Sequence, residues 1–157
     1  MIRAVIFDLA GTLFDGGRLY PGADAFVRKC ATRFPLMVAT GAKRAYAKDR
    51  LRQSGLLEFF LDVLGVEDAD RSKPAPDLFV AALGRIGFLL RQRNPVEPSQ
   101  CLVVEDSIAG IAAAHRAGMF VLAIAHTRPP AALETADFVY NSFVDIDLDA
   151  VLRVCAA

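Results

Sequence analysis

A chain of 157 residues, 54% hydrophobic with a mean hydropathy of +0.35, has the length of one ordinary domain, and roughly 70% of the surface of its unfolded chain goes inside on folding. Lys and Arg number 18 and so do Asp and Glu, so no global field draws the protein onto nucleic acid or an anionic membrane. Cys30, Cys101 and Cys155 are odd in number and lack metal-ligand spacing, no window reaches the ~18 apolar residues of a membrane helix, and no signal segment opens the chain; reduced thiols in a soluble cytoplasmic protein are the expectation.

In chain order, apolar strand-like runs alternate with helical patterns. Ala4 to Leu9 reads as a buried strand, Gly22 to Phe34 as a helix with Ala25, Phe26, Cys30 and Phe34 near one face, and Leu36 to Thr40 as a second strand. Lys43 to Ser54 is predicted as a helix closed by Gly55, followed by a short strand over Phe60 to Val66. Pro76 to Ile86, entered through Pro74 and Pro76 and stopped by Gly87, is a further helix. Leu89 to Ser99 is polar, holds Pro95 and Pro98, and is predicted as a surface loop, with the Arg91-Gln92-Arg93 cluster as solvated surface. Cys101 to Val104 is a strand and Ser107 to Ala117 a helix ended by Gly118, its Ala109, Ala112, Ala113 and Ala114 suited to close helix-to-sheet packing. Phe120 to Ile124 and Asp137 to Tyr140 are strands, and Asp147 to Val154 is a closing helix. This alternation requires crossover connections and a mostly parallel sheet covered on both faces. The expected fold class is therefore α/β, a Rossmann-like three-layer sandwich formed by residues 1–157 as one domain.

Ligands of an open parallel sheet bind beyond the carboxyl ends of its strands. The residues placed there are Asp8, Thr40, and Glu105 with Asp106, and the loop before the Pro76 helix lets Lys73 reach the same edge. Carboxylates on separate strand ends repel one another unless a cation lies between them, and a hard oxygen set favours Mg²⁺. A lysine and a hydroxyl beside them suit phosphate oxygens. Together these groups describe phosphoryl chemistry at an aspartate nucleophile.

The segments "FDLAGTLFD", "VATG", "SKPAPDLF" and "VVEDSIAGIAAAHRAG" resemble, in order and spacing, the four motifs of the haloacid dehalogenase-like hydrolase superfamily, near its phosphoglycolate phosphatase, β-phosphoglucomutase and phosphonatase branch. The resemblance implies that Asp8 forms an aspartyl-phosphate, that Thr40 hydrogen-bonds the transferring phosphoryl group, and that Lys73 neutralises charge between them. It implies Mg²⁺ held by Asp8, Asp106, Glu105 and the backbone carbonyl of Ala10, with Gly11, Thr12, Gly41 and Lys43 lining the substrate. The substrate would be a phosphorylated small molecule or a phosphorylated macromolecule, with neither nucleic acid nor membrane as partner.

Two departures from that pattern bear on activity. The phosphatases resembled carry an aspartate where this chain has Ala10; that residue protonates the leaving group and then activates water. Losing a positioned acid/base removes about 10²–10⁴ in rate, so ordinary monoesters should react slowly. Phosphonoacetaldehyde hydrolases resemble this chain in having alanine there, but use a cap-domain lysine for which only Lys43 offers a stand-in. No cap is present either: five residues separate Asp15 from Pro21, and Thr40 to Lys73 is used up by one helix, a short strand and loops. Without a cap, an oligomer partner or a macromolecular substrate would have to close the site.

Each feature also has a plainer reading. An Asp ending a strand can be a turn or capping residue, Thr40-Gly41 can cap a helix starting near Ala42, Lys73 can be a solvated loop lysine, and Asp106 can favour a helix N-terminus. Asp15 beside Gly16-Gly17 could replace the missing acid or simply form a turn. His115 and His126 read as structural or exposed. At the level of the whole chain, the alternative to an Mg²⁺-dependent hydrolase is a catalytically retired domain that binds a phosphorylated ligand or a protein partner. C–halogen hydrolysis, a third reading, has no use for the Glu105-Asp106 pair.

Overall fold

Residues 1–91 and 93–157 are described by the computed structural model; Gln92, and with it the centre of the Arg91-Gln92-Arg93 cluster, lies outside the described residues. Six strands form one parallel sheet in the order β5-β4-β1-β6-β7-β8. These are β1 (Ala4–Phe7), β4 (Leu36–Ala39), β5 (Asp62–Leu64), β6 (Cys101–Glu105), β7 (Phe120–Ile124) and β8 (Phe138–Tyr140). β1 is flanked by β4, with Ile6 opposite Met37, and by β6, with Ile6 opposite Val103. Buried on both faces, these strands read as continuous apolar runs rather than alternations.

The period-2 direction of side chains divides the core into two layers. Val5, Phe7, Val38, Val63, Leu102 and Val104 face α1 (Ala23–Ala31), α2 (Arg44–Gln53) and α5 (Leu148–Ala156). Ala4, Ile6, Met37, Val103 and Val121 face α3 (Asp77–Leu90) and α4 (Ile108–Arg116). Phe7 sits at the centre of the first layer, edge-on to Phe26 at 6.1 Å and Phe60 at 5.8 Å between ring centroids. The three thiols are free and buried, and burial pushes Cys30 and Cys101 up to about 12 and Cys155 up to about 11. No helix among the described residues is long and apolar enough to cross a membrane.

Several sequence expectations need correction. β1 stops at Phe7 because the chain then coils: the carbonyl of Leu9 accepts the N–H groups of Thr12, Leu13 and Phe14 at 3.2, 2.8 and 3.2 Å, with Gly11 at φ +79. The stretch after Asp15 is not bare connection but a hairpin, β2 (Phe14–Asp15) with β3 (Arg18–Leu19), turned at Gly16 with φ +57. α3 is not stopped by Gly87 but runs to Leu90, ending at Arg91 in the left-handed region with φ 48. Leu89 and Leu90 are therefore helical, and Pro98–Gln100 forms a 3₁₀ turn inside the segment expected to be loop. On α1 the buried positions are Ala23, Phe26, Val27 and Cys30, with Ala25 exposed; on α4 they are Gly110, Ile111, Ala113 and Ala114, with Ala109 exposed.

Gly84 and Gly87 lie inside α3, and a Cβ at either would meet nothing within 4 Å. Gly84→Ala and Gly87→Ala should therefore each raise unfolding free energy by about 0.5–1 kcal/mol, through lower unfolded-state entropy and better helix propensity. Urea denaturation followed by circular dichroism measures this, and a gain in Gly84→Ala with a loss in Gly87→Ala would show that the helix does not persist past Ile86.

Candidate active site

Strand order decides which side chains meet. β1 and β6 are neighbours with Phe7 opposite Val104, so Asp8 and Glu105 leave the sheet side by side and the backbone N–H of Asp8 donates to Val104 O at 3.0 Å. Asp106 follows as the chain turns into α4, whose N-cap is Ser107. One oxygen from each of Asp8, Glu105 and Asp106 lies within 4.8 Å of the others, and all three residues are buried.

Lys73 enters from the loop before α3. Its ammonium donates to Asp8 Oδ1 at 3.0 Å, to Glu105 Oε1 at 2.6 Å and to Ala39 O at 3.3 Å. Arg116 on α4 holds that loop by donating to Pro74 O at 2.8 Å. The second Glu105 oxygen accepts from the N–H groups of Asp106 and Ser107, at 3.0 and 3.2 Å, and from Ser107 Oγ at 3.1 Å. Gly110 makes room for this carboxylate: a Cβ there would stand 2.0 Å from Glu105 Cδ.

The coil after β1 returns Thr12 beneath Asp8. Fully buried, its hydroxyl lies 3.1 Å from Asp8 Oδ2 and 2.9 Å from Asp106 Oδ1, and its single proton serves the two acids. Gly11 is needed for both its positive φ and its lack of a side chain, since a Cβ would stand 2.3 Å from Asp106 Oδ2. That oxygen accepts from Thr127 Oγ1 at 2.5 Å. Thr127 follows β7, as does His126, whose Nδ1 lies 3.1 Å from Thr12 O and whose ring stacks on Tyr20 at 3.6 Å.

Electrostatics follow from this crowding. Burial first, then the charge of Asp8, pushes Glu105 up to about 7, while Lys73 pulls the other way. Burial also raises Asp106, against hydrogen bonds from Thr127 and Thr12. Lys73 is held well above the ordinary lysine range by Asp8 and Glu105, which outweigh its desolvation. Three carboxylates facing one ammonium leave negative charge uncompensated. Such an all-oxygen donor set fits a hard divalent cation, which would relieve that excess.

The remaining expected residues sit at the rim. Thr40 is buried and its Oγ1 accepts from Ala42 N at 3.1 Å, but α2 begins two residues later, at Arg44 with Lys43 as N-cap, so Thr40 does not cap it. Gly41 and Lys43 are exposed, and Gly41 and Lys73 border a cleft of about 380 Å³. Lys43 makes no ion pair or hydrogen bond with the acidic cluster among the described residues. Ala10 is exposed at the mouth. Asp15 is exposed and paired across the hairpin with Arg18, outside the cluster. His115 is exposed and lies 3.0 Å from Asp137.

Sequence reasoning missed Thr127, Gly110 and Tyr20. Applying the strand-end rule to β7 as well as to β1, β4 and β6 would have collected Thr127. Gly110 and Tyr20 carry no such signal.

A family model described as haloacid dehalogenase-like hydrolase matches residues 14–118, a span that begins after Asp8. The chain is 34% identical over 114 residues to validoxylamine A 7'-phosphate phosphatase of Streptomyces hygroscopicus subsp. limoneus, covering 73% of this chain and 50% of that protein. It is 31% identical over 147 residues to the bifunctional riboflavin kinase/FMN phosphatase of Arabidopsis thaliana, covering 91% of this chain and 36% of that one. The chain thus spans half or less of the length of these curated relatives. In fold, it is similar to β-phosphoglucomutase from Clostridium difficile, with a TM-score of 0.84, 16% identity, and coverage of 99% of this chain and 98% of that chain.

Gly110→Ala should destabilise the protein by about 3 kcal/mol or more by driving the buried Glu105 carboxylate off Lys73, although alanine is the better helix former by about 1 kcal/mol. Chemical denaturation decides between the two signs; a neutral or stabilising result would show that the carboxylate has room to move.

Proposed function

The chain belongs to the haloacid dehalogenase-like hydrolase family, and we propose that residues 1–157 act as its catalytic core, an Mg²⁺-dependent hydrolase of phosphorylated or phosphonate-type compounds with Asp8 as nucleophile. The observation that carries this reading is the meeting of Asp8, Glu105 and Asp106 around one point, with the Lys73 ammonium bonded to two of them.

Asp8 is set for attack on phosphorus by being held on both oxygens. Lys73 fixes Oδ1 and Thr12 fixes Oδ2, so the carboxylate cannot rotate away. The Lys73 ammonium, kept protonated by its two acids, offsets charge where phosphoryl oxygens gather. Thr40 uses its oxygen to accept from Ala42 N, which leaves its own O–H to donate to a phosphoryl oxygen. Mg²⁺, when bound by Asp8, Asp106, Glu105 and the carbonyl of Ala10, supplies further neutralisation of acid and phosphoryl charge. An oxygen of Asp8 bonds to phosphorus as the bond to the leaving oxygen breaks, giving an aspartyl-phosphate; water then attacks phosphorus, breaks its bond to Asp8 and releases phosphate. With Ala10 in place of an acid/base, both the departure of a poor leaving group and the activation of water are slow.

The relatives' printed names, validoxylamine A 7'-phosphate phosphatase and FMN phosphatase among them, support a phosphorylated small molecule as substrate. A retired, binding-only domain is the second reading, and Ala10 is the feature that favours it.

With p-nitrophenyl phosphate and Mg²⁺, Asp8→Asn should abolish phosphate release and Ala10→Asp should raise it about 10²-fold or more. Wild-type rates in Asp8→Asn would reject the nucleophile, and Mg²⁺-dependent binding of beryllofluoride without turnover in any variant would favour the retired domain.

Affinity for Mg²⁺ should fall as pH drops below about 7, because Glu105 must lose its proton to bind. In the metal-free protein the contribution of Glu105 to stability, full below about 4.5, should be lost as pH rises through about 7, since the fold holds this proton more tightly than the unfolded chain does. Titration calorimetry and thermal melts with and without Mg²⁺ read both effects; an affinity independent of pH would remove Glu105 from the metal site.

A further inference from the structure

We propose that the phosphoryl donors of this site are acyl phosphates, and that the phosphoaspartate formed on Asp8 is long-lived enough to accumulate. The inference rests on the reading of Asp8 as nucleophile and concerns which leaving groups this particular set of side chains can release.

A phosphate monoester departs as an alkoxide, a base as strong as hydroxide, whereas an acyl phosphate departs as a carboxylate, a weak base whose conjugate acid lies at about 4. The first needs a proton delivered as the bond breaks; the second needs none. Among the described residues, the lysine and the two acids that bond around Asp8 are already committed. Glu105 gives Oε1 to Lys73 and Oε2 to three donors, and is wholly enclosed. Asp106 has Oδ1 against Thr12 and Oδ2 against Thr127. Lys73 spends its three protons on Asp8, Glu105 and Ala39 O. His126 has Nδ1 at the Thr12 carbonyl and its ring face covered by Tyr20. At the open mouth, two residues past the nucleophile, stands the methyl group of Ala10. Among the described residues, Asp15 is the nearest unspent carboxylate in sequence, and it lies on the exposed hairpin opposite Arg18.

The step that fits is therefore one without proton transfer. A carboxylate oxygen of Asp8 bonds to phosphorus, the bond from phosphorus to the acyl oxygen breaks, and its electron pair leaves with the carboxylate. Regeneration requires water to attack phosphorus, the bond from phosphorus to the Asp8 oxygen to break and a water proton to pass to solvent, and among the described residues no carboxylate stands free beside Ala10 to take it. Formation is thus unhindered while hydrolysis is slow, and the phosphorylated form builds up. The enclosed side of the site, where Lys73, Thr12 and Thr127 hold the acids, serves the first step; the bare side at Ala10 is where the second would need help.

The test uses the full chain with Mg²⁺ and acetyl phosphate, followed by intact-protein mass spectrometry after acid quench, with glycerol phosphate as the monoester comparison. Wild type should gain one phosphoryl group from acetyl phosphate and none detectable from glycerol phosphate. Asp8→Asn should gain none. Ala10→Asp, at an exposed position, should lose the accumulated adduct and release phosphate at least about tenfold faster. Equal turnover of glycerol phosphate and acetyl phosphate by wild type, or no adduct from acetyl phosphate while Ala10→Asp hydrolyses p-nitrophenyl phosphate, overturns the donor assignment and leaves Asp8 as nucleophile. An adduct that persists in Asp8→Asn overturns both.

Discussion

The ammonium of Lys73, bonded at 3.0 Å to Asp8 and 2.6 Å to Glu105, is the contact around which the rest of the rim is organised. A buried charge costs several kcal/mol unless it is paired and fully hydrogen-bonded, and here three carboxylates are taken out of water within a few ångströms of one another. One lysine cannot balance them. The chain meets the remainder with fixed donors: two backbone amides and Ser107 on Glu105, Thr12 between Asp8 and Asp106, and Thr127 on Asp106. The donors come from three places, the turn between β6 and α4, the coil after β1 and the end of β7, so the acidic cluster and the sheet hold each other in place.

That dependence explains features that look unrelated along the chain. Gly11 and Gly110 are far apart in sequence yet do the same job, since a Cβ on either would occupy the space of a site carboxylate. The coil after β1, pinned by three N–H groups on the Leu9 carbonyl, delivers Thr12. Arg116 reaches back from α4 to the Lys73 loop. None of these residues needs to touch a substrate; they set the positions of those that would.

The two sides of the site differ in kind. Its floor is buried and hydrogen-bonded throughout, with no unpartnered buried side-chain polar atom among the described residues. Its mouth carries Ala10, Gly41 and Lys43, all exposed, and the β2–β3 hairpin follows Ala10 in the chain. A preorganised floor favours charge stabilisation.

Much of this was legible in the residues. Apolar runs alternating with amphipathic stretches require a parallel sheet, and the strand-end rule picks out Asp8, Thr40, Glu105 and Asp106. Helix ends were less legible: α3 passes through Gly84 and Gly87 because a glycine weakens a helix by only about 1 kcal/mol, too little to outweigh a helix that buries Leu78, Phe79, Ala82 and Ile86. The sequence alone determined the fold class and the alanine at position 10, because these follow from local periodicity and residue identity, while the four motif positions came from resemblance to a known family. Only the tertiary structure decided that Lys73 bonds Asp8 and Glu105, that Thr127 holds Asp106 and that Gly110 leaves room for Glu105. Those contacts join residues brought together by strand order, and strand order is settled by the packing of the whole sheet rather than by any local stretch of chain.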